Sequence, residues 1–300
     1  MKIYSFVAAE KANFPITFMC SHFEVSTQAF YDWHAKLSAG PSAIELEEQR
    51  VVAEMRKIHN DSAGTYGQPR MTSTLRMLGF CINHKRVERL MQKHQIKGHV
   101  PKTKVITTIP AVDAHSVTDL VKRDFKKEAA DLAWCGDISY IRTWEGWLYL
   151  ATVIDLGSRR VIGYAMADHM RTELIEDAIA MAVKTRGRIK MPKVPFHSDR
   201  GSQYQSDDFA KKCKELGLLR SVGRVATCYD NAVAESFFAT LKKELVYRRT
   251  FRTRAQARTE IFAWIEGWYN TRRLHSTLGY LTPIAWEQQR NIQLQSATAA

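Results

Sequence analysis

Apolar positions follow a helical period through the first hundred residues, alternate two by two in the middle of the chain, and return to helical spacing near the end. Between residues 13 and 33 the pattern gives two short helices and a turn. Ser26 is placed to cap the second, with Ala29, Phe30 and Trp33 at helical intervals behind it. Residues 44–60 predict a helix with many charged positions. The breaker-rich loop Ala63 to Arg70 then leads into a helix pair. Its first member runs from Met71 to Leu78 and stops at Gly79. Its second runs from His84 to His94, with Asn83 as the cap. Val87, Leu90, Met91 and His94 form the inward stripe of that helix, while Lys85, Arg89 and Lys93 line a different face. A helix-turn-helix with one basic side suits a DNA major groove. A small helical bundle with a solvated Lys/Arg face has the same pattern.

Residues 99–130 are polar, basic and without period, and predict a linker. From residue 131 the alternation predicts strands at Trp134 to Ile141, Trp147 to Asp155 and Arg160 to Met166, joined by short turns at Trp144-Glu145-Gly146 and Gly157-Ser158. A helix over Glu173 to Thr185, a strand over Val194 to Ser198, a helix over Ser206 to Leu216 and a strand over Leu218 to Val222 follow. A long helix then begins near Asp230, its expected N-cap. Three antiparallel strands followed by alternating helices and strands predict a mixed α/β sheet. The organisation expected is a helical region over 1–98, the linker over 99–130, a catalytic core over 131–247 and a basic helical extension over 248–300.

Charge sharpens this picture. Residues 51–130 carry 15 basic and 7 acidic side chains and residues 248–300 carry 8 and 3, while 131–247 carry 17 and 15. Positive flanks around a balanced middle suit a polyanion that releases counterions on binding. No apolar run is long enough to span a membrane, and no signal peptide is visible at the N-terminus. Five scattered cysteines, never in a C-x-x-C pair, fit free thiols in a reducing cytoplasm better than a zinc site.

Three acids stand out. Asp137 lies mid-strand among apolar residues, where a carboxylate is costly without compensation. Asp199 ends the fourth strand, where ligands gather in α/β sheets. Glu235 lies early in the long helix. At about 100° per residue, Asn231 and Lys242 fall within about 40° of Glu235, and Ala234, Phe237, Leu241 and Leu245 cluster on another side. Glu244 falls at about 180° from Glu235 and is expected to be exposed. Each acid alone also fits an ordinary salt-bridge or capping role. Close carboxylates repel one another, and a pair of divalent cations removes that conflict while serving phosphodiester chemistry.

Thirty-five residues separate Asp199 from Glu235, a spacing that resembles the D,D(35)E pattern of retroviral integrases and many bacterial transposases. The words His197-Ser198-Asp199-Arg200-Gly201-Ser202-Gln203-Tyr204 and Asp230-Asn231-Ala232-Val233-Ala234-Glu235-Ser236-Phe237-Phe238 resemble the OrfB-type transposases of the insertion-sequence-3 family. So do Trp268-Tyr269-Asn270 with Arg273 and His275, and Leu278-Gly279-Tyr280 with Thr282-Pro283. Tyr66-Gly67-Gln68-Pro69-Arg70 and Asn83 with Lys85-Arg86-Val87 are similar to that family's helix-turn-helix region.

The resemblance, over about residues 50–288, implies an RNase H-like core: a mixed five-stranded sheet with flanking helices, preceded by an all-α helix-turn-helix region. It implies a DNA transposase that cleaves and joins strands at insertion-sequence ends, with Asp137, Asp199 and Glu235 as catalytic residues and ligands of two Mg²⁺ ions, Mn²⁺ substituting. Lys242 matches the family's basic residue near the DNA end. Arg200, Gln203 and Asn231 are candidates for DNA contact beside the acids, and Lys85, Arg86, Arg89 and Lys93 in the helix-turn-helix. Expected partners are DNA terminal repeats and target DNA, an upstream OrfA-type product by fusion or association, and further copies of the chain on DNA. No membrane is expected, and the setting would be the bacterial cytoplasm at the nucleoid. A catalytically silent DNA-binding regulator and a plain nuclease of the same fold remain as alternatives.

Overall fold

The computed structural model describes residues 2–99, 119–121, 127–199, 201–222 and 232–298. The chain divides into two compact units, Met1–His99 and Val100–Ala300.

The first unit is all helical: α1 (Lys2–Glu10), α2 (Ile16–His22), α3 (Thr27–Ala39), α4 (Ala43–Asp61), α5 (Gln68–Met77) and α6 (His84–Lys93). Val7, Met19, Cys20 and Phe30 form a small core for α1–α3, with the Tyr4 and Trp33 rings against it. Ser26 caps α3 through the Ala29 amide. Ser42 and Glu45 close a capping box at the start of α4. The spacing of Asn83 in the sequence is realised as a cap on α6, its side chain accepting from the Arg86 amide at 2.8 Å. Val87, Leu90 and Met91 are buried, and His94 is half-buried at the helix end. The breaker-rich loop is shorter than expected. α5 starts at Gln68, because Gly67 occupies the N-cap position and Pro69 sits in the first turn, where a missing N–H costs nothing.

The second unit is built on β1 (Trp134–Thr143), β2 (Gly146–Asp155), β3 (Val161–Ala167), β4 (Pro195–Ser198) and β5 (Leu219–Val222), in the order β3-β2-β1-β4-β5. β1, β2 and β3 are antiparallel, and β4 and β5 run parallel to β1. This is the mixed five-stranded sheet with flanking helices that the resemblance implies. The helices are α7 (Thr172–Thr185), the short α8 (Ser202–Gln205), α9 (Asp207–Leu216), α10 (Ala232–Glu244), α11 (Arg254–Trp264) and α12 (Pro283–Thr298). Successive strand residues point to opposite faces. Ala151 and Val153 therefore pack with Ile175, Ile179 and Phe209 of α7 and α9, while Leu150 and Ile154 pack with Phe237, Leu241 and Ile261 of α10 and α11.

Two glycines allow close layers. A Cβ at Gly136 would lie 2.3 Å from the Phe196 ring, and one at Gly163 would lie 2.2 Å from the Ala178 carbonyl oxygen of α7. Residues after 248 share the sheet's core through Ala257, Ile261, Trp264, Ile265 and Tyr269. Asn270 is buried, and its side chain bonds both the N–H and the C=O of Val161, at 3.0 and 2.9 Å, as a neighbouring strand residue would. Arg186 at the end of α7 pairs with Asp131, Asp155 and Glu287, which ties α12 to the sheet. Val121, from the segment read as a linker, is buried in this core, and the Leu120 amide donates to Ser221 of β5.

Candidate active site

Asp137 and Asp199 are brought together by strand register. β1 and β4 pair in parallel through Trp134 with Phe196 and Cys135 with His197. Two residues further in the same register, Asp137 on β1 comes beside Asp199 just past the end of β4. Neighbouring strands lie about 4.8 Å apart, so two carboxylates at this level repel. α10 lies over the same sheet on its Ala234, Phe237 and Leu241 side, and Glu235 stands at its exposed face.

The charges of Asp199 and Glu235 act on Asp137, and the charge of Asp199 acts on Glu235. Burial, and then the charge of Asp199, push the Asp137 carboxyl up to about 7; Glu235 adds to the rise. The Ile138 amide, 2.8 Å from Asp137 Oδ1, and the Lys242 ammonium offset only part of it. Glu235 is raised by burial and by Asp199. Lys242 is lowered by burial and drawn back up by Asp137, and its Nζ lies 5.3 Å from the Tyr140 ring centre. Tyr204 is buried at this place, its phenol pushed well up by burial and by Asp137 and Asp199. Asp199 accepts the Gly201 amide at 3.0 Å. Among the described residues no group of three or more His, Cys, Asp or Glu side chains is placed to hold a metal ion. The acids are electrostatic neighbours, and among the described residues no cation fully balances the charge of Asp137.

The raised Asp137 gives a sign-definite expectation. In chelator, its folded value of about 7 lies above the ordinary carboxyl value of 3.8, so the folded state holds the extra proton between these limits. Stability from this group is present at low pH and is lost as pH rises through about 7. Asp137→Asn is expected to melt above the parent at pH 8, with the gap closing toward pH 5. A gap that does not change with pH in thermal melts contradicts the coupling.

The other sequence candidates are distributed as follows. The Gln203 side-chain amide donates to the Met170 carbonyl at 3.2 Å, and the residue is half-buried. His197 is buried and shares a hydrogen bond with Ser221 at 2.9 Å, a packing role beneath the sheet end. Arg200, Asn231 and the cap position Asp230 lie outside the described residues. Lys85 and Arg89 are exposed on α6. Arg86 pairs with Glu47 at 3.1 Å and Lys93 pairs with Glu48, so two of the four basic candidates face α4.

Glu244 needs correction. It is not exposed: its carboxylate accepts from Arg273 Nε at 3.0 Å and from Trp268 Nε1 at 3.1 Å, and its side chain is 10% accessible. A single-helix periodicity cannot see the C-terminal segment that folds over this side of α10. Tyr204 and Tyr140 are site neighbours that the sequence pattern does not single out. Tyr204 does lie inside the His197–Tyr204 word, which is the available signal.

Models of the integrase core domain match residues 127–228 and 216–283, and a model of an HTH-like domain matches residues 45–104. The transposase InsF for insertion sequence IS3A of Escherichia coli (strain K12) is 35% identical over 289 residues, 95% of this chain and 98% of the relative. The transposase for insertion sequence element IS904 of Lactococcus lactis subsp. lactis (strain IL1403) is 36% identical over 250 residues, 83% of this chain and 97% of the relative. Among solved structures, the simian T-cell lymphotropic virus intasome with the PP2A regulatory subunit B56 gamma aligns at a TM-score of 0.44 and 13% identity, covering 78% of this chain and 74% of that one. The HTLV-2 integrase catalytic core domain in complex with magnesium aligns at 0.39 and 14%, covering 52% and 95%.

Proposed function

The chain belongs to the insertion-sequence-3 family of transposases, enzymes of the DDE polynucleotidyl transferase type, and from that premise we propose that Asp137, Asp199 and Glu235 carry its strand cleavage and strand transfer. The observation that supports this most is the register that sets Asp137 beside Asp199, with Asp137 raised by both other acids. Divalent cations fit that donor set: hard oxygen ligands in excess, mutually destabilised, and left short of positive charge. Two Mg²⁺ ions, or Mn²⁺ in their place, would be held by the three carboxylates and would supply activation of the attacking oxygen and stabilisation of the leaving one.

The chain's own residues do the rest. The sheet fixes the two aspartates, and the buried face of α10 fixes the direction of Glu235. Lys242, half-buried and drawn toward Asp137, is placed to take a DNA phosphate. The reaction is an in-line displacement in two rounds. Water first frees a 3′-hydroxyl at an element end, and that hydroxyl then attacks a second phosphodiester and displaces its 3′-oxygen. DNA terminal repeats and target DNA are the substrates. Further copies of the chain and an upstream OrfA-type product are the protein partners. The setting is the bacterial cytoplasm at the nucleoid, and no described helix is long and apolar enough to cross a membrane.

The test is strand joining with labelled element ends and Mg²⁺. Joined products support the proposal; nicking without joining would make the chain a plain nuclease, and binding without cleavage would make it a regulator.

The HTH-like unit is the docking module in this reading. Lys85→Glu with Arg89→Glu is expected to weaken DNA binding for all sequences and to lower the salt slope by roughly two, one for each phosphate no longer neutralised. Arg86→Gln and Lys93→Gln, whose parent side chains pair with α4, are expected to change the slope less. Binding titrations at several salt concentrations check this, and an unchanged slope in the charge-reversed chain contradicts the assignment.

A further inference from the structure

Past Asp137, β1 runs on as half of a hairpin with β2, while β4 pairs with it only at Trp134 and Cys135. The cover of α7 and α9 over one face of this hairpin ends at Ile138 and Tyr149, which are half-buried against that layer. Beyond them, Tyr140 and Trp147 stand 55% and 44% exposed. Strand alternation puts Tyr140 and Arg142 of β1 on this face, and the register sets them opposite Tyr149 and Trp147 of β2. The Tyr140 and Trp147 rings meet edge to face, with centres 5.1 Å apart and planes at 80°. No acid lies between Ile138 and Thr143 on β1 or between Gly146 and Val153 on β2.

Cations accompany the rings. The Lys242 ammonium of α10 lies 5.3 Å from the Tyr140 ring centre, and the charge of Asp137 acts on the same ammonium. One side chain thus links the rings to the acids. Tyr140 also follows Asp137 by three residues on one strand, about 10 Å at ~3.3 Å per residue. Arg142 is exposed directly across from Trp147. At the hairpin tip the Arg252 guanidinium lies 5.5 Å from the centre of the Trp144 ring, itself exposed. A cross-strand aromatic pair steadies a hairpin, and the edge-to-face contact alone meets that role. It does not account for ring surface left in water with cations gathered round it. Exposed rings among cations suit an unpaired nucleotide strand: bases stack on the rings whatever their identity, and the cations follow the backbone. A second copy presenting this same face would bring cations against cations.

We propose that Tyr140 and Trp147 form a stacking platform for unpaired bases of the DNA strand whose phosphate lies at the three carboxylates. The proposal rests on the reading of those carboxylates as the strand-transfer centre. The distance of about 10 Å from Asp137 to Tyr140 matches roughly three stacked base steps of ~3.4 Å. The bases held are therefore those within about three nucleotides of the reacting phosphate. Stacking them fixes which phosphate reaches the acids without reading sequence.

The test uses the full chain in chelator, so that no strand is cut. Two duplexes of one sequence are compared, one blunt and one ending in a short single-stranded overhang that carries 2-aminopurine. The parent is expected to bind the overhang about tenfold more tightly than the blunt end, the gain from stacking one or two bases, and to quench the 2-aminopurine fluorescence. Tyr140→Leu with Trp147→Leu keeps apolar cover and removes both rings. That chain is expected to bind the two duplexes alike, without quenching and with an unchanged salt slope, since stacking releases no counterions. Tyr140→Phe keeps the ring and is expected to keep the preference. Phe262→Ala removes a ring of the same 55% exposure from α11 and is expected to leave the preference at the parent value. Equal affinity of the parent for both duplexes overturns the platform, and that measurement needs no variant to fold. So does quenching that survives in a folded double-Leu chain. So does a double-Leu chain that keeps the preference but loses self-association in sedimentation, because the face would then be an interface between copies. A parent that prefers the overhang yet joins no strands with Mg²⁺ sinks the proposed chemistry and leaves the platform standing. A parent that joins strands without that preference does the reverse.

Discussion

Glu235→Gln is expected to abolish joining and cleavage together, each falling by several orders of magnitude, while DNA binding stays within a few-fold of the parent. Gln keeps the size, the helix propensity and one acceptor oxygen, and removes the charge. The apolar side of α10, with Ala234, Phe237, Phe238 and Leu241 buried, is untouched, so the fold is expected to survive. A residue that is only one of many surface acids would tolerate the change. One acid set serves both displacements, so the two steps are expected to fail in the same proportion. Glu215→Gln is the proper control: it removes an equal charge from α9 at a side chain 66% accessible, giving up only a surface pair with Lys212 at 3.7 Å. Gel assays of both steps on the two variants decide it, and near-parental joining by a folded Glu235→Gln contradicts the role assigned to Glu235.

The second large effect is on stability. Arg273→Met is expected to cost about 3–5 kcal/mol, because it leaves the Glu244 carboxylate enclosed without its cation. The two side chains are 8% and 10% accessible, with Nη2 2.9 Å and Nε 3.0 Å from Glu244 Oε1. Restoring neutrality by adding Glu244→Gln is expected to recover part of the loss, since a buried pair exceeds its desolvation cost only narrowly while a buried single charge does not. Urea unfolding of the three chains measures this. A loss below about 1 kcal/mol for Arg273→Met would place the pair in solvent-like surroundings. Joining is expected to drop with Arg273→Met as well, because the helix that carries Glu244 also carries Glu235 and Lys242.

That pair also marks the limit of what was legible in the sequence. Strand alternation located β1 to β5 within a few residues, because each strand's two faces meet different apolar layers and the period of two is strong. Asn83 and Ser26 were readable as caps because a side-chain oxygen before a helical pattern acts locally. The acids stood out for a similar reason: Asp137 violates the apolar pattern of its own strand. What stayed hidden depends on distant chain. Glu244 looked exposed because the residues that cover it lie more than twenty positions away. The pairing of Lys93 with Glu48 and of Arg86 with Glu47 likewise comes from the packing of α6 near α4, which no single-helix wheel displays. α1 escaped notice because its short sequence buries only Val7, and α8 because four residues carry no period.

The proposal that Asp137, Asp199 and Glu235 together hold divalent cations is tested most directly by counting bound Mn²⁺. Electron paramagnetic resonance reads free Mn²⁺ in a titration of the chain bound to DNA, for the parent and for Asp137→Asn, Asp199→Asn and Glu235→Gln. The parent is expected to take up Mn²⁺ more tightly as pH rises through about 7, the region where Asp137 gives up its proton. Each substitution is expected to weaken uptake at least tenfold, as loss of a ligand does. Uptake by all three variants equal to that of the parent would contradict the shared metal site.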